Sequence, residues 1–252
     1  MTTVRQIASF LDGLLQADAF HDDSNNGLQV ENSGRVARVC CGVDASLEFF
    51  QEAHRRGASL VLCHHGLSWG DSLKRITDLN YRHVGFLIKN NIALYACHIA
   101  LDAHPRYGNN ACMAQALGLR QLKPFGAYHG KSIGIRGSLP TAMPLAKFAA
   151  RLKQVTGNAV TVMDYGKPTV RTVAMVVGGS AVGLEEAARL GTDVYLSGEP
   201  NLSAYTKARD LGMNALFGGH YATESFGVQA LGKLLARRFG VRAEFVALGV
   251  PF

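Results

Sequence analysis

Apolar positions Val4, Ile7, Ala8, Leu11, Leu14 and Leu15 fall three and four residues apart, which predicts an amphipathic first helix with Thr3 as its cap. The polar run Asp22-Asp23-Ser24-Asn25-Asn26-Gly27 closes it as a turn. Leu28-Gln29-Val30 and residues 36–43 then read as strands, the second stopping at Asp44. A helix over 46–56 leads into Leu60-Val61-Leu62-Cys63, a buried strand that delivers His64 and His65 to its carboxyl end, where Gly66 lets the chain break. The unit repeats with a helix near 78–90 and a strand over 92–97 that stops at His98-Ile99-Ala100-Leu101-Asp102-Ala103-His104-Pro105. Pro105 and Gly108 forbid a continuous helix there, so a loop is expected, with Asn109 or Asn110 capping a helix that Gly118 ends.

From 121 to 137 the periodicity weakens while Pro124, Gly126 and Gly130 accumulate, which suggests a crossing into a second domain. Beyond it come a helix over 144–154, strands over 159–163 and 170–177, and Gly178-Gly179-Ser180-Ala181-Val182-Gly183 before a helix near Leu184. Strand 194–196 ends in Ser197-Gly198-Glu199-Pro200, followed by a helix over 201–211. Strand 215–217 enters Gly218-Gly219-His220-Tyr221-Ala222-Thr223-Glu224, and a long helix to about 239 precedes a last strand over 241–248. Strands alternating with helices give an α/β class: two associated α/β domains with mixed or mainly parallel sheets flanked by helices. The first is expected to be discontinuous, 1–124 with 216–252, and the second to span 125–215.

At 252 residues, 48% hydrophobic and 18% charged, the chain can bury a full core, and no apolar run reaches the roughly 20 residues of a membrane span. No secretory signal is visible at the start, so residence in the cytoplasm is expected. Five cysteines show no Cys-x-x-Cys spacing; Cys40, Cys41 and Cys97 lie in apolar runs and read as reduced core residues. The net charge of +7 is spread along the chain, densest at His54-Arg55-Arg56 and Arg237-Arg238, and favours acidic ligands such as nucleotides or nucleic acid.

Adjacent strand residues point to opposite faces, so His64 and His65 can share a site only if the strand has ended at or before them. They could then feed two neighbouring metal ions, one imidazole each; the alternative is a histidine pair satisfied by hydrogen bonds. His220 and Glu224, four apart, lie on one helix face and can bind the same centre. Three strand ends therefore offer His64 with His65, Asp102 with His98 nearby, and His220 with Glu224. Mixed imidazole and carboxylate donors suit Zn, Mn, Fe, Co or Ni better than Ca. The turn from Gly178 to Gly183 could cradle a phosphate on freed backbone N–H groups, or be an ordinary tight connection.

The runs Asn25-Asn26-Gly27-Leu28-Gln29-Val30, Cys63-His64-His65-Gly66, Leu101-Asp102-Ala103-His104-Pro105, Ser197-Gly198-Glu199 and Gly219-His220-Tyr221-Ala222-Thr223-Glu224 occur in family order and span nearly the whole chain. The chain resembles the GTP cyclohydrolase I type 2-like family, the Nif-three-like group of dinuclear-metal proteins. The resemblance implies metal ligands at His64, His65, Asp102, His220 and Glu224, two divalent ions per chain, a paired α/β architecture and a toroidal homo-hexamer. It points to a hydrolase acting on a nucleotide or related phosphorylated or purine substrate, in which Glu224 or Asp102 bridges the ions. His98 then serves as an orienting or proton-transfer group, or makes a core hydrogen bond. The alternative is a metal-stabilised ring that binds a protein partner or nucleic acid without turnover. Structural metal sites are usually closed and often cysteine-rich, and the absence of cysteine from the five ligands favours the enzyme.

Overall fold

Unbroken apolar runs make the central strands of the first sheet, because parallel strands covered on both faces meet no water on either. In the computed structural model, which describes residues 2–179 and 183–250, β2 (Arg38–Asp44), β3 (Leu60–His65) and β4 (Ala93–Ala96) are parallel neighbours. β1 (Gly27–Val30) joins antiparallel to β4 and the last strand, β11 (Arg242–Phe245), parallel to β2, for the order β1-β4-β3-β2-β11. Helix α1 (Val4–Leu15) carries the expected Thr3 cap, reciprocated by the Gln6 side chain, and buries Val4, Ile7, Ala8, Leu11 and Leu15. From α2 (Leu47–Arg55), Phe49, Phe50 and Ala53 pack on Val61, Cys63 and Leu94, together with Leu87 of α3 (Asp78–Lys89).

The second sheet is mixed. Its order is β5-β6-β8-β9-β10-β7, with β5 (Arg120–Tyr128), β6 (Lys131–Pro144), β7 (Thr161–Asp164), β8 (Thr169–Met175), β9 (Val194–Ser197) and β10 (Asn214–Phe217). β8, β9 and β10 run parallel, while β5, β6 and β7 enter antiparallel. Phe148 and Leu152 of α6 (Leu145–Thr156) cover one face with Val173 and Leu196. On the other face, α7 (Gly183–Arg189) and α8 (Leu202–Asp210) bring Leu184, Ala187, Ala204 and Ala208 onto Tyr195 and Phe217.

The chain divides into two compact units, Met1–Leu101 with Gly227–Gly249, and Asp102–Phe226. It passes between them within α4 (Ile99–Ala103) and just inside α10 (Ser225–Phe239). The stretch expected to be a loop after His98 thus contains a helical turn that stops before Pro105. Residues 121–137, expected as a crossing, lie in the β5–β6 hairpin. Its glycines hid the alternation: a Cβ at Gly134 would fall 2.3 Å from the Met175 carbonyl oxygen, so close strand approach demands a residue without one. α5 (Asn109–Ala116) starts after Gly108, so neither asparagine caps it. Among the described residues no helix is long and apolar enough to cross a membrane.

Candidate metal centre

In the first unit, β3 continues through His65 instead of ending before the histidines, yet the His64 and His65 ring centroids are 4.7 Å apart. Two features override the alternation of the strand. Pairing with β4 stops at Cys63↔Ala96 while pairing with β2 continues to Asp44↔His65. Each imidazole is also turned by its own hydrogen bond: His64 Nδ1 lies 3.0 Å from the Cys97 carbonyl oxygen and His65 Nδ1 lies 2.7 Å from Asp44 Oδ1. A carbonyl oxygen only accepts, so the His64 proton sits on Nδ1 and Nε2 keeps the lone pair, the form that binds metal.

His98 completes a triangle of imidazoles, its ring 5.1 Å from His64 and 5.4 Å from His65. One nitrogen from each of the three lies within 4.8 Å of the others, close enough to hold a metal ion. The polar run after α1 holds this corner. His98 N–H donates to Asn26 Oδ1, Ile99 N–H donates to Asp22 Oδ2, and His98 Nδ1 lies 2.9 Å from Asp22 Oδ1. Burial alone would raise the Asp22 carboxyl, but the hydrogen bond and charge of His98, with donors from Ser24 and Asn26, hold it down at about 2. Trp69 stands against the cluster, 5.0 Å from the His98 ring and 5.9 Å from the His65 ring, its Nε1–H donating to the Gly66 carbonyl.

In the second unit, His220 opens the short helix α9 (His220–Thr223) and Glu224 follows it, before α10 begins. The four-residue spacing brings His220 Nε2 to 3.1 Å from Glu224 Oε2, and Glu199 Oε1 lies 3.3 Å from His220 Nδ1. The Glu224 hydrogen bond, opposed by burial and reinforced by the charges of Glu224 and Glu199, lifts His220 to about 9. Glu224 and Asp102 are buried, and one carboxylate oxygen from each lies within 4.8 Å of the other. Asp102 is held by both asparagines that do not cap α5. Asn109 Nδ2 donates to Asp102 Oδ1 at 2.8 Å, and Asn110 Nδ2 donates to the Asp102 and Ile133 carbonyls.

The start of the glycine turn lies beside this group. Gly178 has φ +69°, and a Cβ there would fall 2.1 Å from Glu224 Oε1 and 3.2 Å from His220 Nε2. Only glycine leaves that space, and the imidazole and carboxylate donors around it suit a divalent transition metal. Ser180, Ala181 and Val182, the rest of the expected phosphate cradle, lie outside the described residues.

Each unit thus gathers three of the residues singled out from the sequence: His64, His65 and His98 in one, Asp102, His220 and Glu224 in the other. Asp22, Asp44, Asn109 and Glu199 escaped assignment as orienting partners. The signal available was their acidic or amide character at strand and helix ends, but naming the partner requires the strand register.

A family model described as Duf34/NIF3 (NGG1p interacting factor 3) matches residues 2–249. A protein of Deinococcus radiodurans named "GTP cyclohydrolase 1 type 2 homolog" is 40% identical over 241 residues, covering 96% of this chain and 91% of the relative. A protein of Archaeoglobus fulgidus with the same name is 39% identical, with 96% of each chain covered. Among solved structures, one from Thermus thermophilus matches with a TM-score of 0.91 at 35% identity, covering 100% of both chains.

Proposed function

This chain belongs to the Duf34/NIF3 family, and from that premise we propose that it is a hydrolase dependent on two divalent metal ions, acting on a nucleotide or a related phosphorylated or purine substrate. The ions, Zn, Mn, Fe, Co or Ni, would be held by His64, His65, Asp102, His220 and Glu224. The observation that carries this reading is the state of the donors: His64 and His65 are each fixed through Nδ1 by an acceptor, which reserves Nε2 for a ligand role. Buried acids at Asp102 and Glu224 would offset part of the charge of two divalent ions. When bound, such ions contribute Lewis acidity, polarising a substrate oxygen and acidifying water.

The residues themselves have distinct tasks. His98, oriented by Asp22, is placed to move a proton at its Nε2. Trp69 packs edge-on against the His98 ring and so walls one side of the imidazole cluster. His220 carries a proton at neutral pH in the metal-free chain and must release it to become a ligand. Assembly as a homo-hexamer belongs to the same proposal, supported by exposed Leu79, Tyr81 and Ile88 in the first unit and Leu202, Tyr205 and Leu211 in the second.

The test is elemental analysis of protein reconstituted with each metal, followed by a turnover screen against nucleotides and phosphoesters with a His64→Ala control. About two ions per chain and turnover that the control lacks are expected. Failure to retain any metal sinks the reading, and full loading without turnover on any nucleotide or phosphoester removes the hydrolase.

A further inference from the structure

At the edge of the second sheet, where β6 lies beside the parallel strand β8, the β5–β6 hairpin sets two cations against each other. Lys123 of β5 and Arg136 of β6 are directly opposed in the antiparallel register, so their side chains share one face and stand as neighbours. Like charges directly opposite destabilise a strand pair, so this pairing needs a counterion to be favourable. The next opposed pair on that face is Ser138 with Thr172, two hydroxyls. These four residues line a cavity of about 140 Å³, together with Gly191 and Thr192 beyond the end of α7.

No acidic side chain lines the cavity among the described residues. Asp193, next in sequence to Thr192, is engaged by the backbone N–H groups of Arg171 and Thr172, the Thr172 hydroxyl and Lys167 Nζ, and Glu186 accepts from the Ala127 N–H. The local backbone departs from a regular strand here. The β5–β6 register shifts between Arg120 and Lys123, and Gln121 inside that bulge has φ +54°, a left-handed conformation costly for a residue with a Cβ. Bulges re-aim side chains, and strain of this kind persists where the surroundings hold it for a use.

We propose that this cavity is an oxyanion site that binds a phosphate group through Lys123 and Arg136, with the Ser138 hydroxyl as a further donor. Arg136 supplies a planar fork of N–H donors suited to a phosphate, and Lys123 a compact charge. A cavity of about 140 Å³ has room for a phosphate or sulfate-sized group against these side chains. The ligand is therefore inorganic phosphate or a terminal phosphate that projects from a larger molecule.

Thermal denaturation of the full chain with and without inorganic phosphate, against chloride at equal ionic strength, tests the site in wild type and in the double variant Lys123→Gln with Arg136→Gln. Wild type should be stabilised by phosphate beyond chloride, while the double variant should lose that increment and need at least about tenfold more phosphate for any residual effect. Without phosphate the variant should be at least as stable as wild type, because the opposed charges are gone. A phosphate increment that survives in the variant overturns the proposal. So does a variant destabilised in phosphate-free buffer, which would mean that the cations serve the carbonyl end of α7. Adding glycerol 3-phosphate separates the sources: an increment matching that of inorganic phosphate identifies a terminal phosphate group as acceptable, and none restricts the site to the free ion.

Discussion

Two imidazoles from neighbouring residues can serve one site only when something other than the strand decides where each points, and here the Cys97 carbonyl and the Asp44 carboxylate decide it. His64 and His65 were readable in the sequence because they follow an apolar run and therefore lie at a strand end, and His220 with Glu224 because their four-residue spacing puts them on one face. Their partners were not, since Asp44 meets His65 only through the β2–β3 register and Asp22 meets His98 across 76 residues of sequence. Glu224→Gln should keep the helical circular dichroism and lose metal, because the amide matches the shape without the charge. In that variant His220 should titrate nearer to 6.5, as the Glu224 hydrogen bond is the largest cause of its rise to about 9. Because the folded value is raised, the stabilisation His220 gives the metal-free chain is fully present below about 6.5 and lost as pH rises through about 9. Urea midpoints of wild type and His220→Gln should therefore converge as pH increases over that window. A constant gap between them would separate His220 titration from stability. Gly178→Ala places a Cβ against Glu224 Oε1 at a left-handed φ, and should lower both metal content and melting temperature, the backbone alone costing about 1 kcal/mol.

Elements were legible where one periodicity held. α1, α2, α3 and the parallel strands follow apolar patterns that have a single physical reading. The β5–β6 hairpin was illegible because its strands trade side-chain alternation for glycine where backbones meet, and because its outer positions are solvated. What ties β8 to β9 at their starts is a single residue, Asp193, with side-chain exposure of 12%. Burial raises its carboxyl, yet donors from Thr172, Arg171 and Lys167 outweigh that and hold it below the ordinary 3.8. A depressed value stabilises the fold above about 3.8 and gives that stabilisation up as pH falls through the folded value. Asp193→Ala should cost about 1–3 kcal/mol at neutral pH, since it leaves buried donors without an acceptor. Its deficit relative to wild type should shrink in acid, which denaturant melts at pH 7 and pH 3 would show. An equal deficit at both would mean that packing, not the charge, is what Asp193 supplies.

At the scale of the whole molecule the net charge of +7 names no partner, because its cations are spread over both units. One global property is more specific: the chain has a single tryptophan, so all indole emission comes from Trp69. That indole stands 5.0 Å from the His98 ring and 5.9 Å from the His65 ring, and its N–H is fixed on the Gly66 carbonyl. An ion taken by the imidazole cluster therefore arrives within a few ångströms of the only fluorophore of its kind. Paramagnetic Co or Ni should quench the emission by about half or more, whereas Zn, with a filled d shell, should change it far less. Binding to the folded chain alone must also stabilise it, by about 2.7 kcal/mol at a free metal concentration 100 times Kd, so quenching and melting temperature should rise along one titration curve. His64→Ala with His65→Ala should abolish both responses while leaving emission in metal-free buffer. Quenching that persists in that variant would put the ion elsewhere and separate Trp69 from the metal.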